Sequence, residues 1–315
     1  MPWLMSGLGL VILLFAGDAL VKGAVNLSLR LGVPALIVSL TIVAFGTSAP
    51  ELLISIKAVL DNAPGIALGN VVGSNTANIL MVLGIPALLA TMHTSECDSR
   101  KTFGFMIVAT FLFIALAFRG VFDWWAGLVL LGALGYVLFD ALRDARNHRA
   151  ADALEADLEE PEGADPNMPT WQIAVFLILG LVGLPLGASI LVDNATIIAK
   201  TYGVSDTVIG LTLVAIGTSL PELATTVMAA LRRQADVALG NVIGSNMFNL
   251  LAIIGIASLV GPIEVDPEFL RFDLWVMLGA SLLLIPFVYM KKDMTRIWGI
   301  ALTALYAFYI LIVLI

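Results

Sequence analysis

The chain consists largely of apolar stretches that are each long enough to cross a lipid bilayer. A transmembrane helix needs about 20 mainly apolar residues, and such stretches recur along almost all of the 315 residues. Because 60% of the residues are hydrophobic and only 13% are charged, the apolar surface exceeds what a water-soluble core buries. The sequence therefore predicts an all-α membrane protein. We place ten transmembrane helices at residues 4–29, 34–60, 66–91, 103–118, 124–142, 171–199, 207–231, 237–260, 272–290 and 297–315.

The N-terminus and the cysteine content narrow the class further. No Lys or Arg precedes Lys22, so we expect the first apolar stretch to be retained as a helix rather than removed as a signal peptide. Cys97 is the only cysteine, which excludes an intrachain disulfide and a cysteine-based metal site. We expect no cofactor and no nucleic-acid partner.

Charge defines a connector and an orientation. Much of the net charge of −8 comes from acids in residues 144–169, which we interpret as a solvated connector without the spacing of an EF-hand loop. The ten helices place only Arg119, Lys200 and Arg271 on one side of the membrane. The opposite side receives Arg30, Arg100, Lys101, Arg143, Arg146, Arg149, Arg232, Arg233, Lys291, Lys292 and Arg296. By the positive-inside rule, the connector is cytoplasmic and both termini lie outside.

The chain contains two copies of one unit. With a constant offset of 171, residues 32–88 match residues 203–259 at about 27 of 57 positions, Glu, Asn, Ser and Pro among them. We therefore divide the chain into a five-helix repeat (1–143), the connector (144–169) and a second five-helix repeat (170–315). Because five crossings is an odd number, the second copy has inverted topology, an architecture that places substrate sites near the midplane.

Each copy carries the same polar phrase inside an apolar stretch, AFGTSAPE from Ala44 and AIGTSLPE from Ala215. Proline removes a helical donor and clashes with the preceding turn, so we expect free carbonyl oxygens near Ala44 and Thr47 and near Ala215 and Thr218. In hydrocarbon these oxygens need a partner, which is a cation, a side chain or water.

Glu51 and Glu222 favour a cation as that partner. A charged side chain in mid-membrane costs about 3 kcal/mol even on the lenient insertion scale, and no matched base lies near either glutamate in the sequence. Ser48 and Ser55 share a helix face with Glu51, and Ser219 and Thr226 share one with Glu222. In the following helices, Ser74 shares a face with Asn78, and Ser245 shares one with Asn249. This supply of hydroxyl and amide oxygens suits Ca²⁺ and Na⁺ better than Mg²⁺ or soft metals.

Other polar and small residues have roles that spacing alone leaves open. Gly69 with Gly73, and Gly240 with Gly244, have the spacing that lets helices approach closely. The duplicated asparagines either touch ions or only join helices; they are Asn70, Asn75, Asn241 and Asn246. Asp18 and Lys22 are four residues apart, which is typical of an ion pair. We hold Asp18 and Asp193 as candidates that tune the site.

These residues resemble a known family. VAFGTSAPE with GNVVGSNTAN, and VAIGTSLPE with GNVIGSNMFN, are similar to the two alpha repeats of the cation/calcium exchanger superfamily, and in particular of the prokaryotic sodium/calcium antiporters. The resemblance extends over all ten helices. Where some relatives have Asp, this chain has Asn249, which disfavours K⁺ coupling and puts a ligand role at that position in doubt.

The resemblance implies a cluster of Na⁺ and Ca²⁺ sites. Glu51 and Glu222 would be shared central ligands, and the backbone oxygens of Thr47 and Thr218 would complete the Ca²⁺ site. Asn78 and Asn249 would line the middle. The flanking Na⁺ ligands would be Ser48, Ser74, Ser219 and Ser245 with the carbonyls of Ala44 and Ala215.

The sequence thus predicts a secondary antiporter that exchanges Na⁺ for Ca²⁺ by alternating access in the prokaryotic inner membrane. Two glutamates neutralise one Ca²⁺, two Na⁺ or two H⁺, so Ca²⁺/H⁺ exchange through the same residues is the closest rival, and H⁺ is an expected competitor. The resemblance implies three Na⁺ per Ca²⁺ and net charge movement. An intramembrane hydrolase is disfavoured because the only histidines, His93 and His148, fall in predicted loops.

Overall fold

The computed structural model describes residues 1–152, 165, 167–203 and 215–314, and within these ranges the protein is almost entirely helical. Eight helices are long and apolar enough to cross a membrane, and a bent pair of helices makes a ninth crossing in the described residues. The protein is therefore a multi-pass, all-α membrane protein. In chain order the helices are α1 (Pro2–Leu31), α2a (Ala35–Thr47), α2b (Ala49–Leu60), α3 (Pro64–Leu89), α4 (Arg100–Ala117), α5 (Trp124–Asp152), α6 (Thr170–Thr201), α7a (Ala215–Thr218), α7b (Leu220–Leu231), α8 (Ala235–Val260), α9 (Phe269–Val288) and α10 (Arg296–Leu314).

The observed crossings follow the ten predicted ones closely, with one helix incompletely described. Predicted helix 207–231 corresponds to α7a and α7b, and its residues 207–214 lie outside the described residues. The described helices are consistent with ten crossings in two repeats. The inverted topology of the second repeat stays a prediction.

The membrane-spanning part of α5, Trp124–Asp144, agrees with the predicted crossing 124–142, but the helix itself continues beyond it. Ala145 to Ala150 have good helix formers among them and no proline or glycine, so the helix continues to Asp152. His148, expected in a loop, therefore lies in a helix, and the first part of the predicted connector is helical.

Two central helices, α3 and α8, are buried inside the protein although they carry several polar residues. Most of the apolar length of α3 and of α8 is buried within the protein, whereas most of α10 is exposed on its outside. Apolar side chains such as Trp3, Phe15 and Ile297 are exposed around the outside, as expected of a surface that faces lipid. The polar centre of the molecule is thus enclosed by helices that present apolar faces outward.

Glycine residues allow α1 and α6 to pack closely against each other. α1 lies against α6, and a Cβ at Gly9 would come within 2.7 Å of the Leu191 backbone nitrogen. The same holds in the other direction, since a Cβ at Gly187 would come within 2.9 Å of the Leu13 nitrogen. Small residues at these positions let the two backbones approach closely.

Short extended segments join the loops at the helix ends. Strand β1 (Val121–Phe122) pairs antiparallel with β2 (Ile263–Glu264), and Phe122 lies opposite Ile263. A second contact of the same kind is the bridge between Met92 and Met294. Both contacts tie a loop of the first half to a loop of the second.

Candidate cation site

Each polar phrase breaks its helix at the serine. Ser48 has φ −85° and ψ 5°, and Ser219 has φ −87° and ψ 4°, which is the bridge region rather than the helical one. The axes of α2a and α2b differ by 44°. Pro50 and Pro221 follow in the first turn of the new helix, where a missing N–H costs little. The proline therefore starts a second helix rather than kinking a continuous one.

The break places Glu51 and Glu222 in the first turn of α2b and α7b. A helix N-terminus carries partial positive charge, which favours a carboxylate there. Both side chains are nevertheless buried, with 1% relative exposure each. Ser48 Oγ donates a hydrogen bond of 3.2 Å to Glu222 Oε1, so the break of the first half contacts the carboxylate of the second.

Within the described residues, no Lys or Arg forms an ion pair with either glutamate. Leaving two carboxylates buried and uncompensated costs several kcal/mol per ion. The missing positive charge must therefore come from cations or protons.

Unpaired oxygen atoms concentrate at the same place. In the described part of the chain, eight buried side-chain oxygens have no hydrogen-bond partner, and five of them belong to residues of the predicted site. The five are Glu51 Oε2, Glu222 Oε2, Asn78 Oδ1, Asn249 Oδ1 and Ser219 Oγ. Buried polar atoms without partners are uncommon and call for an explanation such as an ion. All five are hard oxygen ligands, which fits Ca²⁺ and Na⁺.

Two asparagines hold the glutamate helices in equivalent ways. Asn70 Nδ2 donates to the Glu51 carbonyl at 3.2 Å and to Ser55 Oγ at 3.1 Å. Asn241 Nδ2 donates to the Glu222 carbonyl at 3.3 Å and to Thr226 Oγ1 at 3.1 Å. These pairs obey the offset of 171. The sequence showed that the asparagines were duplicated, and the structure shows that these two join helices.

Thr47 connects the first break to the second half of the chain. Its hydroxyl lies 3.3 Å from Asn241 Oδ1 and 3.4 Å from Ser245 Oγ. Ser74, Thr218, Asn78 and Asn249 also belong to the predicted set; Ser74 and the two asparagines are buried, and Thr218 lines a cavity between α6 and the two breaks.

The expectation that proline frees the carbonyl of Ala44 is wrong. The Ala44 oxygen accepts from the Ser48 N–H at 3.0 Å and from Thr47 Oγ1 at 3.2 Å. An i→i−4 pattern shows why, since the N–H that Pro50 lacks would point to Gly46 rather than Ala44. In the second half, the Ser219 N–H donates to Ile216 at 3.1 Å, and the side chain of Ala215 is outside what the structure describes.

π-helical turns follow the duplicated spacing of Ser and Asn in both halves. Residues Asn78–Val82 and Phe248–Ile253 are π-helical, and Asn78 and Asn249 lie at or next to their starts. Such turns are rare and are frequent at functional sites. Apolar periodicity gives no signal for them, so the sequence did not predict them.

The structure shows the predicted close helix packing at one of the two glycine pairs, Gly240 with Gly244. A Cβ at Gly240 would come within 2.8 Å of the Leu36 carbonyl oxygen, and one at Gly244 within 2.5 Å of that of Leu40. By the offset of 171, the segment that would pack against Gly69 and Gly73 is 207–211. This segment lies outside the described residues.

The two aspartates differ in their contacts. Asp18 pairs with Lys22 at 3.3 Å, as its spacing predicts, and also with Arg232 of the second half. This makes Asp18 a helix-joining residue. Asp193 accepts from Ser189 at 3.2 Å and lines a cavity of about 210 Å³ with Thr218. A tuning role for Asp193 stays a prediction.

The helices and the buried oxygen cluster define a membrane transporter for cations rather than an enzyme. The chain matches the family model described as "Sodium/calcium exchanger protein" over residues 1–142 and 172–315, and it belongs to this family. The chain is 39% identical to the "Putative antiporter CaxA" of Alkalimonas amylolytica, covering 88% of this chain and 86% of the relative. It is 35% identical to the "Sodium/calcium exchanger MaX1" of Methanosarcina acetivorans, covering 97% and 96%.

A solved structure shows the same fold. The sodium-calcium exchanger NCX_Mj, soaked with 2.5 mM Na⁺ and 1 mM Sr²⁺, superposes with a TM-score of 0.83 at 32% identity and covers 98% of this chain and 97% of its own. Cation/calcium exchange is therefore the established class of activity.

Proposed function

We propose that this protein exchanges Na⁺ for Ca²⁺ by alternating access, with both ions competing for Glu51 and Glu222. The observation that carries the proposal is the cluster of buried, unpaired oxygens around two uncompensated carboxylates. Two negative charges balance one Ca²⁺ or two Na⁺, and burial penalises a site whose charge is left unbalanced. Exchange follows if the protein changes conformation readily only when the charge is compensated.

The ligand roles extend from the two glutamates outward. Glu51 and Glu222 are the central ligands, and the Oδ1 atoms of Asn78 and Asn249, which have no partner in the described structure, are neutral oxygen ligands beside them. Ser219 Oγ is a further ligand that has no competing bond in the described structure. The remaining candidate ligands are Ser48, Ser74, Ser245, Thr47, Thr218, Ala44 and Ala215. Binding by the Ala44 carbonyl requires that one of its two hydrogen bonds opens.

Sodium coupling has support from relatives. MaX1 is named a sodium/calcium exchanger, and NCX_Mj was solved with Na⁺ together with Sr²⁺. The second candidate is Ca²⁺/H⁺ exchange, which the same two carboxylates allow because two protons also neutralise them. With three Na⁺ per Ca²⁺ the exchange would move net charge, whereas two Na⁺ or two H⁺ would move none.

Proteoliposomes separate the two candidates. An imposed Na⁺ gradient without a pH gradient should drive uptake of radioactive Ca²⁺, and a membrane potential should change its rate. Uptake that needs a pH gradient and ignores Na⁺ would replace sodium coupling with proton coupling.

The carboxylates are tested in the same vesicles. Glu51→Gln and Glu222→Gln each remove one charge at nearly constant volume, and we expect each to lower Na⁺-driven Ca²⁺ uptake by at least about 100-fold, since losing one of two charged ligands costs about 3 kcal/mol or more. Glu264→Gln, at an exposed position, is the matched control and should transport as the wild type does. Normal uptake by either site variant would remove the glutamates from the mechanism.

The proposed location is the inner membrane, with both termini outside and the connector cytoplasmic, as the distribution of Lys and Arg suggests. Reporter fusions at the C-terminus and within the connector test this orientation. An active cytoplasmic reporter at the C-terminus would reverse it.

A further inference from the structure

Four buried asparagines form a reciprocal set of hydrogen bonds between α3 and α8. Asn75 Nδ2 donates to the Asn246 carbonyl at 3.2 Å, and Asn246 Nδ2 donates to the Asn75 carbonyl at 3.3 Å. Asn249 Nδ2 donates to Asn75 Oδ1 at 3.0 Å, and Asn78 Nδ2 donates to Asn246 Oδ1 at 3.0 Å. Each bond has its counterpart at the offset of 171, as two copies related by a two-fold axis require.

Backbone carbonyls fix which way every amide in this set points. A backbone carbonyl only accepts, so the group of Asn75 that faces the Asn246 carbonyl must be its NH₂. The Oδ1 of Asn75 then points the other way, where it accepts from Asn249. The second half of the set is fixed in the same way. The NH₂ group of Asn246 must face the Asn75 carbonyl, so the Oδ1 of Asn246 points the other way and accepts from Asn78.

The result is that Asn78 and Asn249 use their NH₂ groups within the protein and keep their oxygens free. Their Oδ1 atoms are buried and have no partner in the described structure. If either amide rotated by half a turn, it would present two N–H donors to the site instead of an oxygen. A donor repels a cation, so the orientation of each amide decides whether the residue is a ligand.

We propose that Asn75 and Asn246 are positioning residues that hold Asn249 and Asn78, respectively, as oxygen ligands of the cation site. The proposal rests on the proposed function of that site. Each positioning residue lies in one repeat and holds a ligand of the other repeat: Asn75 holds Asn249, and Asn246 holds Asn78. Partners that orient metal ligands in this way affect metal affinity by about 10-fold to 100-fold.

A purely structural role would have different consequences. If the four asparagines only joined α3 to α8, removing any one would lower stability, and the effect on Ca²⁺ affinity would not depend on which ligand was also removed. A positioning role predicts coupling within the pairs 75/249 and 246/78, and independence within the pairs 75/78 and 246/249. Double-mutant cycles measure this difference directly.

The experiment measures the Ca²⁺ dissociation constant of purified full-length protein by equilibrium binding of radioactive Ca²⁺. Asn75→Ala and Asn249→Ala should each weaken binding by about 10-fold. The double variant should be no weaker than about 10-fold, because without the Asn249 oxygen there is nothing left for Asn75 to position. Asn75→Ala combined with Asn78→Ala should weaken binding by about 100-fold, the product of two independent effects.

Controls keep the outcomes separate. Thr76→Val changes a buried neighbour whose hydroxyl donates to the Val72 carbonyl of its own helix at 3.0 Å, its one hydrogen bond within the described residues, and this variant should bind Ca²⁺ as the wild type does. Gel filtration and thermal unfolding without Ca²⁺ establish that each variant is folded. If Asn75→Ala is not recovered folded, the equivalent cycle with Asn246→Ala and Asn78→Ala takes its place.

Three results are decisive. Coupling in the crossed pairs alone supports the positioning role. Unchanged Ca²⁺ affinity in Asn75→Ala, or equal coupling in crossed and uncrossed pairs, would overturn it while leaving the exchange function intact. A wild-type protein that fails to bind Ca²⁺ would instead refute the proposed function.

Discussion

Gly244→Ala is expected to damage the site through backbone packing alone. Gly244 precedes Ser245 on α8 and lies against α2a. An added Cβ would come within 2.5 Å of the Leu40 carbonyl oxygen and 2.6 Å of the Ala44 Cβ. Both neighbours are backbone or directly attached to it, so no side chain can rotate away. The two helices must therefore move apart.

The required movement can be worked out from these distances. Ordinary contacts of a Cβ begin at 3.4 Å, and the closest one here is 2.5 Å, so α8 and α2a must separate locally by about 0.9 Å. Overpacking of this kind costs about 1–3 kcal/mol. The displacement falls on Ala44 and Ser245, whose site is expected to tolerate about 0.5 Å. Ca²⁺ affinity should fall by roughly 10-fold.

The assay compares Gly244→Ala with Gly279→Ala. Gly279 lies within α9, and no described atom would lie within 4 Å of its Cβ, so this variant keeps the helix-propensity gain of alanine, about 1 kcal/mol, without the clash. Thermal unfolding should show a loss for Gly244→Ala and no loss for Gly279→Ala. If both variants unfold at the same temperature and bind Ca²⁺ alike, the close contact of α8 with α2a does not position the site.

Three other predictions address pH and charge. Acid should inhibit exchange because protons compete for the two site carboxylates; Ca²⁺ flux that does not change between about pH 5 and 8 would contradict this competition. Titration of the loop residue Asp293 does not explain such inhibition. The hydrogen bonds from Ser95 lower the pKa of Asp293, so its carboxylate stays charged above its ordinary pKa near 3.9, and the contact is lost only as the pH falls through the lowered pKa. Asp18→Asn should cost about 1 kcal/mol of stability, since the pair with Arg232 is partly exposed, and thermal unfolding should show it with the Ca²⁺ half-saturation unchanged. Asp193→Asn should raise the half-saturation for Ca²⁺ about 3-fold at low salt and have no effect at high salt, where its field is screened.

The sequence predicted the crossings well because long apolar stretches admit few other structures. Predicted helix 237–260 is observed as Ala235–Val260, and predicted helix 171–199 as Thr170–Thr201. In α5, polar residues continue the helix beyond the predicted crossing. Hydropathy reports where a helix is in lipid and carries no information on where it ends in water.

The site was predictable in its members and less so in its contacts. Comparing the two halves identified Glu51, Glu222 and the duplicated asparagines, because identical polar residues at one offset do not arise from apolar composition. The crossed pairing of Asn75 with Asn249 depends on how α3 and α8 face each other, which is a tertiary property. The hydrogen bonds that the Ala44 carbonyl accepts depend on the local backbone angles at Ser48, which the position of the proline alone does not define.

The location of a bound cation tests the central claim most directly. Crystals of this protein soaked with Sr²⁺ should show an anomalous peak between Glu51 and Glu222, within about 2.3–2.7 Å of their Oε2 atoms, allowing for an ion slightly larger than Ca²⁺. The peak should fade as Na⁺ in the soak rises and should be absent in Glu222→Gln. A Sr²⁺ peak elsewhere in the molecule, or one between the glutamates that Na⁺ does not displace, would contradict a shared site for the two ions.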